Sequence, residues 1–208
     1  MKAGPQAVLE RAFPGARAQL KRRILAAALA CFNEHGIEAS TIEMILTRCD
    51  ASVGNLYHHF GNKEGLVAAL LFCALDDQAA LLDQQLAQAV SLRDGVSALV
   101  FSYVDWVTAQ PELARFLFQA RAVVVKGPHG ADLQQRNKLR IRLMMAWFAD
   151  PSRQGGLRDW PAELFPSLLI GPAENYGRAW LSGRVKASPA QHREALAEAA
   201  WRAVAAQP

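Results

Sequence analysis

Between Ser40 and Lys63 the chain reads STIEMILTRCDASVGNLYHHFGNK, and this stretch constrains the fold more than any other. Ser40-Thr41-Ile42-Glu43 has capping-box form, with a hydroxyl at Ser40 and an acid three residues on. Ile42, Ile45, Leu46 and Cys49 then recur at helical spacing and give one apolar face. Asp50 breaks the pattern, and Asp tolerates left-handed backbone angles better than most residues other than glycine. Ser52 caps a second short helix, Val53 to Phe60, whose Leu56 and Phe60 lie four apart and face the first helix. Asn55, Tyr57, His58 and His59 point mostly elsewhere. Two short helices joined by such a break form a helix-turn-helix at about residues 41–60. The second helix of that motif can lie in a DNA major groove with its polar side outward.

The run Gly54-Asn55-Leu56-Tyr57-His58-His59-Phe60, followed by Asn62-Lys63-Glu64 and Leu66, closely resembles the signature of the tetracycline-repressor (TetR) family. The match extends back through Ile24 to Gly36. Asp50 stands where the family usually has Gly in the turn, and Leu46 where a small Ala is usual. The resemblance implies an all-α fold. A three-helix DNA-binding domain comes first, then a larger helical domain for effector binding and dimerisation, about nine helices in all.

The approach to the motif carries positive charge. Residues 1–63 hold eight basic and five acidic residues, with Arg17, Lys21, Arg22 and Arg23 clustered before the first helix. Alone, such a run is a solvated helix start; beside this motif it suits phosphate. The net charge of the 208-residue chain is a mild +4. With 51% hydrophobic residues it has ample material for a core. No unbroken run of 18 apolar residues occurs and the first residues lack a signal-peptide core, so a cytoplasmic protein without a membrane span is expected. Cys31, Cys49 and Cys73 fall on apolar helix faces without C-x-x-C or Cys/His spacing. They read as packed thiols rather than as a redox or metal switch, and neither metal nor cofactor is expected.

In order along the chain, residues 1–16, interrupted by Pro5, Pro14 and Gly15, read as a flexible arm ahead of a DNA-binding domain at 17–66. The first helix spans about Gln19 to His35 and stops at Gly36. A long helix capped by Asn62 runs from Lys63 to about Ala89, with a bend expected near Asp76-Asp77. Residues 67–208 form the C-terminal domain. Ser91 to Asp94 repeats the capping form before a helix to about Gln110, and Pro111 opens the next, which ends at Gly127 to Gly130. Leu133, Leu139, Ile141, Met144, Met145 and Phe148 mark a helix to about Ala149. A loop over 150–159 precedes a helix from about Pro161 to Ser182, which Pro172 should kink or shorten. Ser188-Pro189 starts the last helix.

The residues that would carry DNA binding are Thr41, Ser52, Val53, Gly54, Asn55, Tyr57, His58, His59 and Lys63. Ser52 to Asn55 open the second helix, whose first turns approach base edges. Gly54 lets the backbone come close, and the Asn55 amide suits an adenine edge. The family resemblance implies that Tyr57, His59 and Lys63 hold phosphates, with His58 able to reach either. Backbone N–H groups near Thr41 and Lys63 also suit phosphate. Taken singly, Tyr57 reads equally as a half-buried core residue, and the histidines as surface groups or half of a metal site.

The C-terminal helices are rich in aromatic residues and methionine, which serve a core or line an apolar pocket. Trp106, Phe116, Trp147 and Tyr176, with Arg121 or Asn175 as polar anchor, are the candidate effector pocket. Small residues on the last two long helices allow close helix approach. The resemblance implies a homodimer through them, with Gly171, Gly177, Trp180, Leu196, Ala199 and Ala200 as candidates. No nucleophile elbow, zinc-protease motif or phosphate-binding glycine loop is present, which argues against an enzyme. The expectation is a homodimeric repressor released from a palindromic operator in double-stranded DNA by an unknown small-molecule effector. The alternatives are a DNA-binding dimer with no effector and, less favoured, an enzyme on the C-terminal helices.

Overall fold

In a computed structural model, which describes residues 4–153 and 155–206, the chain is built from helices. In order they are α1 (Pro5–Ala12), α2 (Gln19–His35), α3 (Ile42–Cys49), α4 (Val53–Phe60), α5 (Lys63–Leu86), α6 (Leu92–Ala109), α7 (Pro111–Lys126), α8 (Gly130–Phe148), α9 (Phe165–Leu169), α10 (Gly171–Leu181) and α11 (Arg193–Val204). Among the described residues the β content is one isolated antiparallel bridge, Leu157 with Ala205. The chain divides into two compact units, Met1–Asp77 with Gln110–Leu139, and Gln78–Ala109 with Arg140–Pro208.

In the first unit α2 is the central element. Ile24, Leu25, Ala28, Leu29 and Phe32 are buried along it, and α1, α3 and α7 pack against it. Phe116 of α7 stacks on Phe32 with ring centroids 5.8 Å apart. The expected flexible arm is corrected over much of its length, residues 1–3 lying outside the described part. Residues 5–12 are helical because Pro5 suits a first turn and Ala7, Val8 and Leu9 find an apolar surface to cover. Arg11 pairs with Asp77 at 2.7 Å, and the Arg22 guanidinium donates to the carbonyls of Phe13 and Gly15.

Helix α5 is capped by Asn62, whose side-chain oxygen accepts from the Gly65 N–H at 2.8 Å. It continues as unbroken helix through Asp76 and Asp77 and ends at Leu86 rather than Ala89. By length and composition α5 would suffice to cross a membrane, with a mean hydropathy of 1.7 over 18 residues. Its Leu66, Leu70, Leu71 and Ala74 are instead buried inside the protein, as in a core helix.

The second unit centres on α6 and α11, with Val96, Val100, Val104, Phe165, Leu169, Ala173, Ala200 and Val204 in one buried cluster. Ser91 and Asp94 cap α6 reciprocally: the Asp94 N–H donates to the Ser91 hydroxyl at 3.1 Å and the Ser91 N–H to the Asp94 carboxylate at 3.0 Å. The helix expected over Pro161 to Ser182 is divided. A short turn and α9 precede Ile170, and Pro172 sits in the first turn of α10 rather than inside a longer helix. On α8 the expected apolar stripe is only partly covered. Leu133 is buried, whereas Leu139 and Ile141 are exposed.

Candidate nucleic-acid interface

Helices α3 and α4 are set by short polar caps at their starts and left-handed backbone at their ends. Thr41 caps α3, its hydroxyl accepting from the Met44 N–H at 3.2 Å. The expected cap at Ser40 is therefore displaced by one residue. Ser40 is buried, and its hydroxyl donates to the Gly36 carbonyl at 2.7 Å, so the preceding turn claims it first. Asp50 ends α3 at φ 48° and ψ 52°, left-handed as the sequence predicts, and the Arg23 guanidinium donates to its carbonyl at 3.1 Å. Ser52 caps α4 by accepting from the Asn55 N–H at 3.2 Å. Gly61 closes α4 at φ 75°, with its N–H on the Tyr57 carbonyl.

The burial of Leu56, with Phe60 half-covered beside it, fixes which face of α4 turns outward. Gly54, Tyr57 and His58 lie on that face with Val53 at its edge; Val53 is 56% and Tyr57 50% exposed. Asn55 and His59 are half-buried on the opposite flank. His58 and His59 touch edge to face, 5.1 Å between centroids. The His59 imidazole is held below its ordinary value, first by burial and then by the charges of His58 and Lys21.

Gly54 has no structural reason to be glycine. A Cβ built there would meet only the Ser52 hydroxyl, at 3.8 Å, an ordinary contact. Glycine inside a helix costs about 1 kcal/mol relative to alanine, and the packing around Gly54 leaves room for a Cβ.

The basic residues around the motif divide into ties and free ends. Arg22 and Arg23 tie down the backbone before α2 and at Asp50. Arg48 pairs with Glu34. Lys21 lies over the Phe13 ring at 4.2 Å, with Phe60 at 5.7 Å, which places its charge beside the end of α4. Arg17 is exposed. Lys63, which the family resemblance assigns to phosphate, has its ammonium turned onto its own chain. Its ammonium donates to the carbonyls of Ile37 at 3.0 Å, Glu38 at 3.1 Å and Ser40 at 2.9 Å. An ammonium has three donors, and all three are spent on the turn between α2 and α3. The sequence alone gives no sign of this clamp, because its three acceptors are backbone groups about 25 residues upstream.

The candidate pocket residues do not share one environment. Trp106 and Phe116 are completely buried, Phe116 in the core of the first unit and Trp106 in the second unit. Arg121 and Asn175 are exposed. Trp147 carries the Arg153 guanidinium over its ring at 4.0 Å, and Tyr176 donates to the Ala187 carbonyl at 3.1 Å. Of the candidate dimer residues, Gly177 and Ala200 are buried against their own chain. Gly177 faces Tyr103 and Val107, and Ala200 belongs to the core of the second unit. Gly171, Trp180 and Leu196 are half-buried, and Ala199 is exposed.

The profile described as bacterial regulatory proteins, tetR family, matches residues 24–70. The HTH-type transcriptional regulator UidR of Escherichia coli (strain K12) is 35% identical over 107 residues, 51% of this chain and 48% of that protein. This chain thus spans about half the length of that relative. The HTH-type transcriptional repressor SCO4008 of Streptomyces coelicolor is 33% identical over 156 residues, 74% of this chain and 76% of its own. Among solved structures, a TetR family transcription regulator from Marinobacter aquaeolei VT8 superposes with a TM-score of 0.77, covering 92% of this chain and 98% of that one. At 22% identity that likeness speaks for the fold alone.

Proposed function

The chain belongs to the tetR family of bacterial regulatory proteins, and we propose that it is a sequence-specific DNA-binding repressor acting as a homodimer on a palindromic operator. The observation that carries this reading is the outward face of α4. Gly54 is unneeded by the fold, Val53 and Tyr57 are uncovered, and capped helix starts and basic side chains surround them. Ser52, Asn55 and His58 approach base edges from the two sides of that face. Tyr57, His59, Lys21 and the backbone donors at the starts of α3 and α5 hold phosphates. The protein works in the cytoplasm, where its operator is, and carries out no catalysis.

One motif per chain reads only a few base pairs, and a two-fold dimer reads a palindrome. The outward faces of α10 and α11 form the interface, with Gly171, Trp180, Leu196 and Ala199 as its residues. A small molecule binding the C-terminal helices, against Trp147 and Tyr176, lowers DNA affinity by favouring a different setting of α5. The burial of Trp106 and Phe116 supports a second reading, in which these helices serve dimerisation without an effector.

Selection from a random duplex library, followed by binding to the enriched duplex at several salt concentrations, tests the proposal. The expected result is a palindromic site, bound by a dimer in sedimentation. Its affinity should fall by about 10³–10⁵ between ~50 and ~200 mM salt. Binding without sequence preference, or binding by a monomer, refutes it.

A further inference from the structure

Resting on the DNA-binding reading above, we propose that α4 recognises thymine through its C5-methyl group, with Val53 as the residue that receives it. Val53 is 56% exposed at the first position of α4, in a helix of only eight residues where a β-branched side chain is a poor helix former. More than half of its surface is left uncovered by the described residues. Tyr57 lies one turn further on, 50% exposed, so the two side chains stand next to each other as an apolar pair on the surface of a DNA-reading head. Gly54 lies beside them without a side chain, although its backbone would accept one. The surface therefore has an apolar ridge next to bare backbone, and a duplex can come close enough to touch both.

The major groove offers hydrogen-bond donors and acceptors at every base pair but only one apolar group, the methyl of thymine. An apolar side chain aimed into that groove has no other partner of its own chemistry. The polar neighbours do not displace it from this role. The Ser52 hydroxyl caps the helix by accepting from the Asn55 N–H, and Asn55 is half-buried on the far flank. His58, on the outward face, supplies polar readout one turn beyond Gly54.

Deoxyuridine differs from thymidine only in lacking this methyl group, which makes a direct test possible with the full-length protein. A duplex enriched from a random library is remade with each thymine replaced in turn by deoxyuridine. At one thymine in each half-site, wild-type affinity should fall about fourfold, the worth of one buried methyl. In Val53→Ala the same replacement should change affinity less than twofold, while the variant still binds the duplex and unfolds at or above the wild-type temperature. A wild type indifferent to every replacement overturns the proposal, as does an enriched site without thymine. So does a Val53→Ala protein that keeps the full fourfold preference. Failure to enrich any sequence overturns the DNA-binding reading as well, which separates the two failures.

Discussion

Replacing Lys63 with methionine keeps the length of the side chain and removes its charge and donors. In the native protein one ammonium satisfies three carbonyls at 2.9–3.1 Å and so holds the α2–α3 turn against the start of α5. The Glu38 residue is exposed, and water can replace the lost donor at its carbonyl. The bonds to the Ile37 and Ser40 carbonyls are partly buried. Each carbonyl left without a partner costs about 1–2 kcal/mol, giving about 2–4 kcal/mol for the variant. Urea unfolding monitored by circular dichroism measures the loss. Lys63→Arg should fall between the two, since a planar guanidinium cannot aim three donors at convergent carbonyls. The clamp also predicts what does not change. With all three donors used internally, Lys63 neutralises no phosphate, so the slope of log affinity against log salt should match wild type under folding conditions. A phosphate ligand behaves the opposite way: stability is kept and the slope falls by about one unit. That second pattern would refute the clamp.

Gly54→Ala should raise stability by about 0.5–1 kcal/mol, since the added Cβ meets only the Ser52 hydroxyl at 3.8 Å, yet weaken DNA binding severalfold. Thermal unfolding and a mobility-shift titration measure the two, and affinity equal to wild type would remove the close-approach role. Lowering the pH should strengthen DNA binding through His59. In the free protein burial and nearby positive charge hold its imidazole below the ordinary 6.5, and a phosphate against it pulls the value up. Binding therefore takes up a proton, so this gain is full below the free-protein value and is lost as pH rises through the value in the complex. A His59→Gln variant should flatten the affinity profile between about pH 6 and 8, and a flat wild-type profile would exclude the contact. Gly177→Leu should destabilise the single chain by about 1–3 kcal/mol, because even a Cβ there comes within 3.4 Å of the Tyr103 hydroxyl. A variant that unfolds as the wild type does but sediments as a monomer where the wild type is a dimer would instead return Gly177 to a dimer contact.

The local signals in the sequence survive best where one short segment makes its own hydrogen bonds. The turn at Asp50, the cap at Ser52, the start of α5 at Asn62 and the reciprocal cap at Ser91 and Asp94 are all legible, because donor and acceptor lie within three residues. Ser40 shows the limit: two neighbouring hydroxyls compete, and only the folded turn at Gly36 decides which one caps α3. Residues 5–12 were illegible as a helix because their stability comes from covering α2, not from their own propensity. Lys63, Arg22 and Arg23 illustrate a different loss. A basic cluster near a DNA-binding motif suggests phosphate, but long side chains also reach carbonyls brought near by the fold, and sequence spacing does not distinguish the two. Trp106 and Phe116 look like pocket residues by type, and their complete burial is not legible from residue type alone.

The three cysteines give the chain a built-in clock for its own opening. Cys31, Cys49 and Cys73 are the only thiols, all are buried, and all fall within the first compact unit. Burial raises each above the ordinary thiol range, Cys73 to about 12, so the reactive thiolate is scarce while that unit is closed. Alkylation at neutral pH is therefore expected to follow the opening of that unit. Mass analysis of the labelled peptides then times the loosening of α2, α3 and α5 one by one, while the second unit, lacking any thiol, stays silent.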